Sequence, residues 1–307
     1  MGLVYHNGKF IPEQNIRKAT EEEAVLRLLR SFLDANEPGL VRILVNTWQS
    51  QGKAITYKEL REAILNGDIS PEYLEDWMQD YSRLVTKHMQ PAWEKAIEAA
   101  AEELHRRYPT WHFNPMGDSV RTWTANHAAE FVTNVTTAQI EGLRAVVQRA
   151  AVLEDLSVDE LSRAIRPMIG LTKQQTAANL RFYENLRAHG IPPKKARESS
   201  LYYSARQHRH RAYQVARTEL ATAYNTGAYE GTKQAQAAGL IGEVVKVWCT
   251  ADDERVCKIC GPNDGVKIPM NENFSGAKSS WSTKLHPPLH PACRCALIIE
   301  EISPPKE

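Results

Sequence analysis

The sequence predicts a mainly α-helical protein, in which a multi-helix body is followed by a small C-terminal α+β module of loops and strands. Apolar residues recur at helical spacing almost without a break from about residue 20 to residue 240. After Gly239 the pattern changes to short β-branched runs separated by Gly, Pro, Asn and Ser. All five cysteines of the 307-residue chain lie between Cys249 and Cys295. The C-terminal part is therefore chemically distinct from the body.

The first long helix is expected to begin at Thr20, because Glu23 follows at the spacing of a capping box. Pro38 and Gly39 interrupt its apolar stripe and are expected to break the helix. The helical pattern then resumes over residues 40–48.

Two more helix starts follow in the N-terminal hundred residues. A capping box at Thr56 predicts a short helix, and Ser70 before Pro71 predicts the start of a long one. This long helix is expected to kink at Pro91, because proline removes a helical hydrogen bond, and to continue to Tyr108.

Residues 109–119 are rich in turn formers and predict a boundary in the chain. Beyond it, helical patterns cover residues 120–153, 157–167, 172–189 and 194–238, and β-branched runs predict strands at 244–249 and 296–299. We therefore expect three domains, namely an N-terminal helical region (1–110), a helical region with a long basic helix (111–240) and a Cys/His module (241–307).

Composition excludes several classes of protein. The chain is 42% hydrophobic and 24% charged, which is ordinary for a globular protein and excludes a mostly disordered one. Lys and Arg (38) nearly balance Asp and Glu (37), so no whole-chain field attracts nucleic acid or a membrane surface. No apolar run reaches the ~20 residues of a membrane span, and no secretory signal is visible. We expect a soluble protein made in the cytoplasm, with no membrane partner.

The cysteines and one histidine have the spacing of a metal site. Cys257 and Cys260 form a C-x2-C knuckle, and His290, Cys293 and Cys295 follow after a 29-residue insertion. Zn²⁺ prefers four sulfur or imidazole ligands in a tetrahedron, so four of these five are expected to bind one structural zinc ion per chain. Metal binding would then supply folding free energy to a segment too rich in Gly, Pro and Ser to fold alone.

Alternatives to a structural zinc site stay open at this point. The cysteines could form disulfides or stay reduced without a metal, and a catalytic zinc would need an open coordination position. His286 is a weaker sixth candidate ligand. Cys249, beside Trp248 on a predicted strand, is expected to be a small buried hydrophobe.

A basic segment opens the last long helix. Helical spacing places His208 on the packed face and leaves three arginines facing outward. The candidate phosphate-binding residues are Lys194, Lys195, Arg206, Arg209 and Arg211. The alternative is a solvated face packed beside acidic neighbours. A little further on, Arg217-Thr218-Glu219 is better explained by a buried Arg–Glu ion pair than by catalysis, because the three side chains point in different directions.

Several of these segments together resemble a known family. They are Arg217-Thr-Glu219, Trp248, Asp253-Glu-Arg-Val-Cys-Lys-Ile-Cys260, Asp264-Gly265 and His290-Pro-Ala-Cys-Arg-Cys295. This order resembles the phage head-morphogenesis family, the minor head proteins of tailed phages that include the Mu F protein. The resemblance covers residues 210–298, extends as helical texture from about residue 120, and leaves residues 1–110 unmatched.

The resemblance implies a structural minor capsid protein of the virion, which assembles in the host cytoplasm and lies in the head at or near the portal. Its implied partners are the portal protein or the major capsid protein, with non-specific contact to double-stranded DNA during packaging or ejection. It implies no enzyme activity and no small-molecule substrate.

Two other functions stay open as alternatives. One is a metal-dependent nucleic-acid enzyme of treble-clef type, in which His286, His290 and the acidic residues 252–254 would build a second, open metal site. The other is a non-specific DNA-binding adaptor. No nucleotide-binding or hydrolase motif of the familiar kinds supports any further enzyme class.

Overall fold

A computed structural model describes residues 3–6, 9–153, 156–250, 256–275 and 284–305. The helices are α1 (Glu13–Ala54), α2 (Tyr57–Asn66), α3 (Glu72–Leu84), α4 (Gln90–Arg107), α5 (Asp118–Ala151), α6 (Val158–Ile165), α7 (Lys173–Ala188) and α8 (Pro193–Ala237). The strands are β1 (Leu3–His6), β2 (Lys9–Pro12), β3 (Val244–Cys249), β4 (Lys267–Pro269) and β5 (Ala296–Glu301). The mainly α-helical fold with a small C-terminal sheet is confirmed.

The predicted start and break of the first helix are both wrong. Helix α1 begins at Glu13 and continues through Pro38 and Gly39. A proline inside a helix destabilises it by ~3 kcal/mol, but Leu33, Leu40 and Leu44 on either side are all buried. Burial of this stripe outweighs the lost hydrogen bond.

The irregularity predicted at Pro91 lies one turn earlier. Between α3 and α4, residues Val85–Met89 form a π-helical turn, and the Gln90 N–H donates to the Val85 carbonyl five residues back. The wider turn accommodates Pro91, whose ring would otherwise crowd the carbonyl four residues before it. Helix α4 then continues to Arg107, close to the predicted end.

The predicted helix starts at Thr56, Ser157 and Thr172 are confirmed. Each side chain accepts a hydrogen bond from the backbone N–H three residues later, and Thr56 and Thr172 form complete capping boxes. Within the part of the chain that the structure describes, no helix has the length and hydropathy that a membrane span requires.

The chain divides into two compact units that alternate along the sequence. Unit 1 comprises residues 1–37, 91–122 and 215–307, and unit 2 comprises residues 38–90 and 123–214. In unit 2, the buried Trp48 indole N–H donates to the Tyr81 hydroxyl at 2.8 Å. The three consecutive domains expected from the sequence stay a prediction.

Unit 1 contains the C-terminal sheet, which is antiparallel in the order β4-β3-β5. Trp248 pairs with Leu297 in its register, and Cys249 pairs with Ala296. The two strands predicted here are confirmed as β3 and β5, whereas β4 and the hairpin of β1 and β2 were not predicted. The C-terminal half of α8 packs against α4 in the same unit, where Gly227 approaches the Ile97 backbone closely.

Candidate metal centre

The first half of the centre is a tight knuckle that follows β3. The Gly261 N–H donates to the Cys257 carbonyl at 3.0 Å, and the Cys260 N–H points at the Cys257 sulfur at 3.4 Å. Further on, the Asp264 carboxylate accepts a hydrogen bond from the Thr250 N–H at 2.8 Å and closes the loop at the end of β3. The knuckle is therefore fixed by its own backbone and by the neighbouring strand.

The second half is a turn of four residues before β5. The Cys293 N–H donates to the His290 carbonyl at 3.3 Å, and Ala292 adopts a positive φ of 56°. The His290 Nδ1 lies 2.9 Å from the Pro291 carbonyl. This contact fixes the ring so that Nε2 faces the knuckle, as is usual for a metal-binding histidine.

Helix α8 supports this second half through polar side chains on one face. The Thr218 hydroxyl accepts the Ala292 N–H at 2.8 Å, inside the ligand turn. Two helical turns further along α8, the Asn225 side chain accepts a hydrogen bond from the Leu297 N–H at 2.7 Å. These bonds hold both ends of the segment that contains the two late cysteines.

The five predicted ligands come together. The His290 Nε2 lies 3.0 Å from the Cys257 sulfur and 3.2 Å from the Cys260 sulfur, and the Cys260 and Cys293 sulfurs are 3.6 Å apart. Two groups of three have all donor atoms within 4.8 Å, namely Cys257, Cys260 and His290, and Cys260, Cys293 and Cys295. Cys260 belongs to both groups and links them.

Electrostatics within the cluster favour ionised ligands at two of the cysteines. The hydrogen bond from Cys260 lowers the pKa of Cys293 well below its usual range and raises the pKa of Cys260. The hydrogen bond with Cys293 raises the pKa of His290 to about 9, although burial opposes this. Burial also opposes ionisation of Cys257, but backbone N–H groups of Cys260 and Ile259 lower its pKa overall.

This donor set fits zinc. Thiolate and imidazole are the ligands of structural zinc sites, and the distances between the donors are short enough for one tetrahedral ion. Short contacts link Cys257, His290, Cys260 and Cys293 in a continuous series, whereas Cys295 is close only to Cys260 and Cys293. Cys295, like Cys260 and Cys293, also belongs to the hydrophobic cluster that includes Trp248 and Leu297.

The weaker candidates have other roles or lie outside the described residues. Both ring nitrogens of His286 have neighbours, with Nε2 3.2 Å from the Thr226 hydroxyl and Nδ1 2.8 Å from the Pro287 carbonyl. Cys249 is buried, as predicted. The acidic residues 252–254 lie outside the described part of the chain.

The basic start of α8 agrees with the prediction except at one residue. Lys194, Lys195, Arg206 and Arg209 are exposed, and His208 is buried as expected. The expectation that Arg211 faces outward is wrong. It is 5% exposed, its guanidinium lies 4.8 Å from the centre of the Trp48 ring, and it donates to the Gly170 carbonyl. Arg211 is therefore removed from the candidate phosphate ligands.

Lys246 is a further residue of this region that sequence reasoning missed. It is fully buried on β3, and its ammonium donates to the Glu272 and Leu285 carbonyls at 2.6 and 2.8 Å. It also lies about 5.5 Å from the ring centres of Tyr229 and Phe274. Burial lowers the pKa of Lys246 to about 8. The sequence signal that could have identified Lys246 is a single charged residue inside a run of valines on a predicted strand.

Comparison with known protein families gives a match that covers the metal centre. Residues 149–298 match the family described as Phage Mu protein F like protein, which confirms the family resemblance found in the sequence. The matched range includes α6, α7, α8 and every candidate ligand of the metal centre. No curated protein and no solved structure gives a significant match to this chain.

Proposed function

Because residues 149–298 of this chain match the family described as Phage Mu protein F like protein, we propose that the protein is a structural component of a tailed-phage head. In this role the helical body docks on the portal or the major capsid protein, at or near the portal vertex. A single bound zinc ion holds the C-terminal module in a fixed shape. The observation that carries the proposal is the convergence of five sulfur and imidazole donors inside the family-matched region.

A structural role for the metal is supported by how the ligands are held. Cys260 and Cys293 are buried, and the ligand turn is anchored on α8 through Thr218. A catalytic zinc needs an open position for water, whereas four protein ligands fill the tetrahedron. A zinc ion would link the knuckle to the late turn through four ligands, Cys257, Cys260, His290 and Cys293. Such a cross-link between two chain segments is how a structural ion stabilises a fold.

Metal analysis of the purified chain tests the zinc proposal. We expect elemental analysis by mass spectrometry to find about one zinc ion per chain. Removal of the metal with a chelator under reducing conditions should make proteolysis of the C-terminal module faster. Cys260→Ser should lose the zinc, whereas Cys249→Ser, a buried cysteine outside the cluster, should keep it. Full zinc content in Cys260→Ser would contradict the ligand assignment.

The place in the particle needs a separate experiment. Purified heads should contain the chain, and cross-linking of intact heads should join it to the portal or to the major capsid protein. Absence of the chain from both immature and mature heads would contradict a structural role, irrespective of the metal result.

A second candidate activity is non-specific contact with DNA phosphates through the exposed start of α8. Lys195, Tyr202, Arg206, Arg209 and Tyr213 are all exposed and, spaced three, four or seven residues apart, lie on one side of the helix. We name this set the α8 basic face. Within the described residues, none of its three cations has an ion-pair partner.

Salt dependence tests this contact. Affinity for duplex DNA should fall steeply with salt, and the double variant Arg206→Gln/Arg209→Gln should reduce the salt slope by about two phosphate contacts. Lys87→Gln, an exposed cation in the π-helical turn, is the matched control. An unchanged slope in the double variant would contradict the assignment.

A further inference from the structure

Unit 2 has a cleft on the side of α2 and α3 that differs in charge from the α8 basic face. The cleft has a volume of about 390 Å³, enough for a large side chain. Its floor is apolar and includes the buried residues Leu60, Ile69 and Leu143. Its rim contains four carboxylates, those of Glu59, Glu62, Asp68 and Glu72.

Two of these carboxylates are available to a partner. Glu59 is occupied by the Thr56 cap, and Asp68 pairs with Arg144 at 2.9 Å. Among the described residues, Glu62 has one ion-pair contact, at 3.9 Å with the exposed Lys58, and this contributes little. Glu72 forms no ion pair among the described residues. The rim therefore keeps negative charge beside an apolar floor.

The α8 basic face presents an exposed aromatic side chain beside its cations. Tyr202 is 65% exposed. Arg206 and Arg209 follow Tyr202 by one and two helical turns. An aromatic side chain followed by two cations fits a cleft whose lining combines apolar residues with the carboxylates of Glu62 and Glu72.

We propose that the α8 basic face of one copy of this chain docks in the α2–α3 cleft of a second copy. Tyr202 enters the cleft, and Arg206 and Arg209 pair with Glu62 and Glu72. The two surfaces share no residue, so the contact is head-to-tail. Each copy then uses one surface to bind the copy before it and the other to bind the copy after it. Repetition of this contact gives a closed ring if the rotation between neighbouring copies adds up to a full turn, and an open filament if it does not.

Sedimentation of the nuclease-treated full chain tests this proposal. At low ionic strength we expect concentration-dependent oligomers that dissociate in about 0.5 M salt, because the exposed charge pairs are screened. Glu62→Gln/Glu72→Gln should weaken association by about tenfold or more. The control Glu98→Gln/Glu102→Gln removes two exposed carboxylates of α4 and should leave association unchanged.

Complementation distinguishes a head-to-tail contact from a symmetric one. The cleft variant Glu62→Gln/Glu72→Gln and the face variant Arg206→Gln/Arg209→Gln should each be monomeric alone. When mixed they should form a one-to-one dimer that grows no further, because the intact cleft of one accepts the intact face of the other. A chain that stays monomeric at high concentration and low salt, or a mixture that stays monomeric, would overturn the proposal.

This proposal and the DNA contact use the same arginines, and the cleft variant separates them. If the cleft variant binds DNA normally but no longer associates, both surfaces have the proposed roles. If the wild-type chain binds DNA and never associates, the α8 basic face serves DNA alone and the self-association proposal fails.

Discussion

Arg217 and Glu37 form a buried, two-pronged ion pair in unit 1. The Arg217 guanidinium donates to the two Glu37 carboxylate oxygens at 2.5 and 3.1 Å, and the Glu37 side chain is only 6% exposed. Asp34, one turn earlier on α1, lies 3.5 Å from the same guanidinium. The sequence predicted a buried Arg–Glu ion pair from this segment to a neighbouring helix or to the metal module, and the partner of Arg217 is Glu37 on α1, 180 residues away.

Removing one member of this pair should strongly destabilise the protein. Glu37→Met removes the buried partner of the Arg217 charge and leaves the exposed Asp34 at 3.5 Å, so we expect a loss of ~3 kcal/mol in the free energy of unfolding. Glu37→Met/Arg217→Met removes both charges and should recover most of that loss. Urea unfolding of both variants measures the difference. If the single and the double variant are destabilised equally, the two side chains stabilise the protein by their packing and not by their charges.

Thr218 should control metal affinity without binding the metal. Its hydroxyl accepts the Ala292 N–H within the turn that presents His290 and Cys293. Thr218→Val leaves that N–H without its acceptor and should weaken zinc binding by about 10- to 100-fold, as loss of outer-shell partners does. Competition with a zinc chelator gives the affinity.

Two variants control for the loss of a hydroxyl. Thr218→Ser keeps the acceptor and should retain near-normal affinity. Thr222→Val removes a hydroxyl one turn further along α8, where it bonds only the Thr218 carbonyl, and should not change zinc binding. A similar loss in Thr222→Val would mean that helix stability, rather than the bond to Ala292, sets the affinity.

Gly227 permits α8 and α4 to approach each other within unit 1. A Cβ at this position would lie 2.3 Å from the Ile97 carbonyl oxygen, whereas one at Gly231 would meet side-chain atoms at 3.3 Å. We expect Gly227→Ala to destabilise the protein by ~2 kcal/mol through overpacking, and Gly231→Ala to do so by less. Gly39→Ala, in an exposed stretch of α1 with nothing within 4 Å, should stabilise by up to ~1 kcal/mol. Thermal unfolding of the three variants gives the order.

Local patterns explain why much of the fold and the metal centre was predictable. The capping boxes at Thr56 and Thr172 depend on residues three apart, and the knuckle at Cys257 and Cys260 likewise combines chemistry and spacing within one turn. The second half of the site, with His290, Cys293 and Cys295, follows from the same kind of local spacing in a second short segment. Each of these features is encoded over a few neighbouring residues.

The errors occur where a distant segment decides the outcome. Helical spacing places Arg211 outward, but the Gly170 turn and Trp48 supply a carbonyl and an aromatic ring that make its burial possible. Lys246 can be buried because two backbone carbonyls from segments after β3 accept hydrogen bonds from its ammonium group. Pro38 stays in a helix because its neighbours are buried. Sequence periodicity contains no information about such partners.

His208 should make unit 2 less stable in mild acid. Its ring is buried, its Nε2 lies 2.8 Å from the Ile169 carbonyl, and it stacks on Trp48. Burial and the nearby Arg211 charge lower the pKa of His208 to about 4, although the hydrogen bond to the Ile169 carbonyl acts in the opposite direction. The unfolded chain, with a pKa near 6.5, therefore binds more protons than the folded one between about pH 6.5 and pH 4, so stability falls as pH falls through this window.

Between pH 7 and pH 5 this difference amounts to ~2 kcal/mol of unfolding free energy. His208→Gln can still donate to the Ile169 carbonyl but does not titrate, so its stability should fall by that much less over the same range. Urea unfolding at both pH values, with the zinc content of the two proteins matched, measures the difference between them. Because other titrating groups are common to both proteins, their contributions cancel. Parallel pH profiles for the wild type and His208→Gln would show that the buried imidazole is not the acid-sensitive group of this unit.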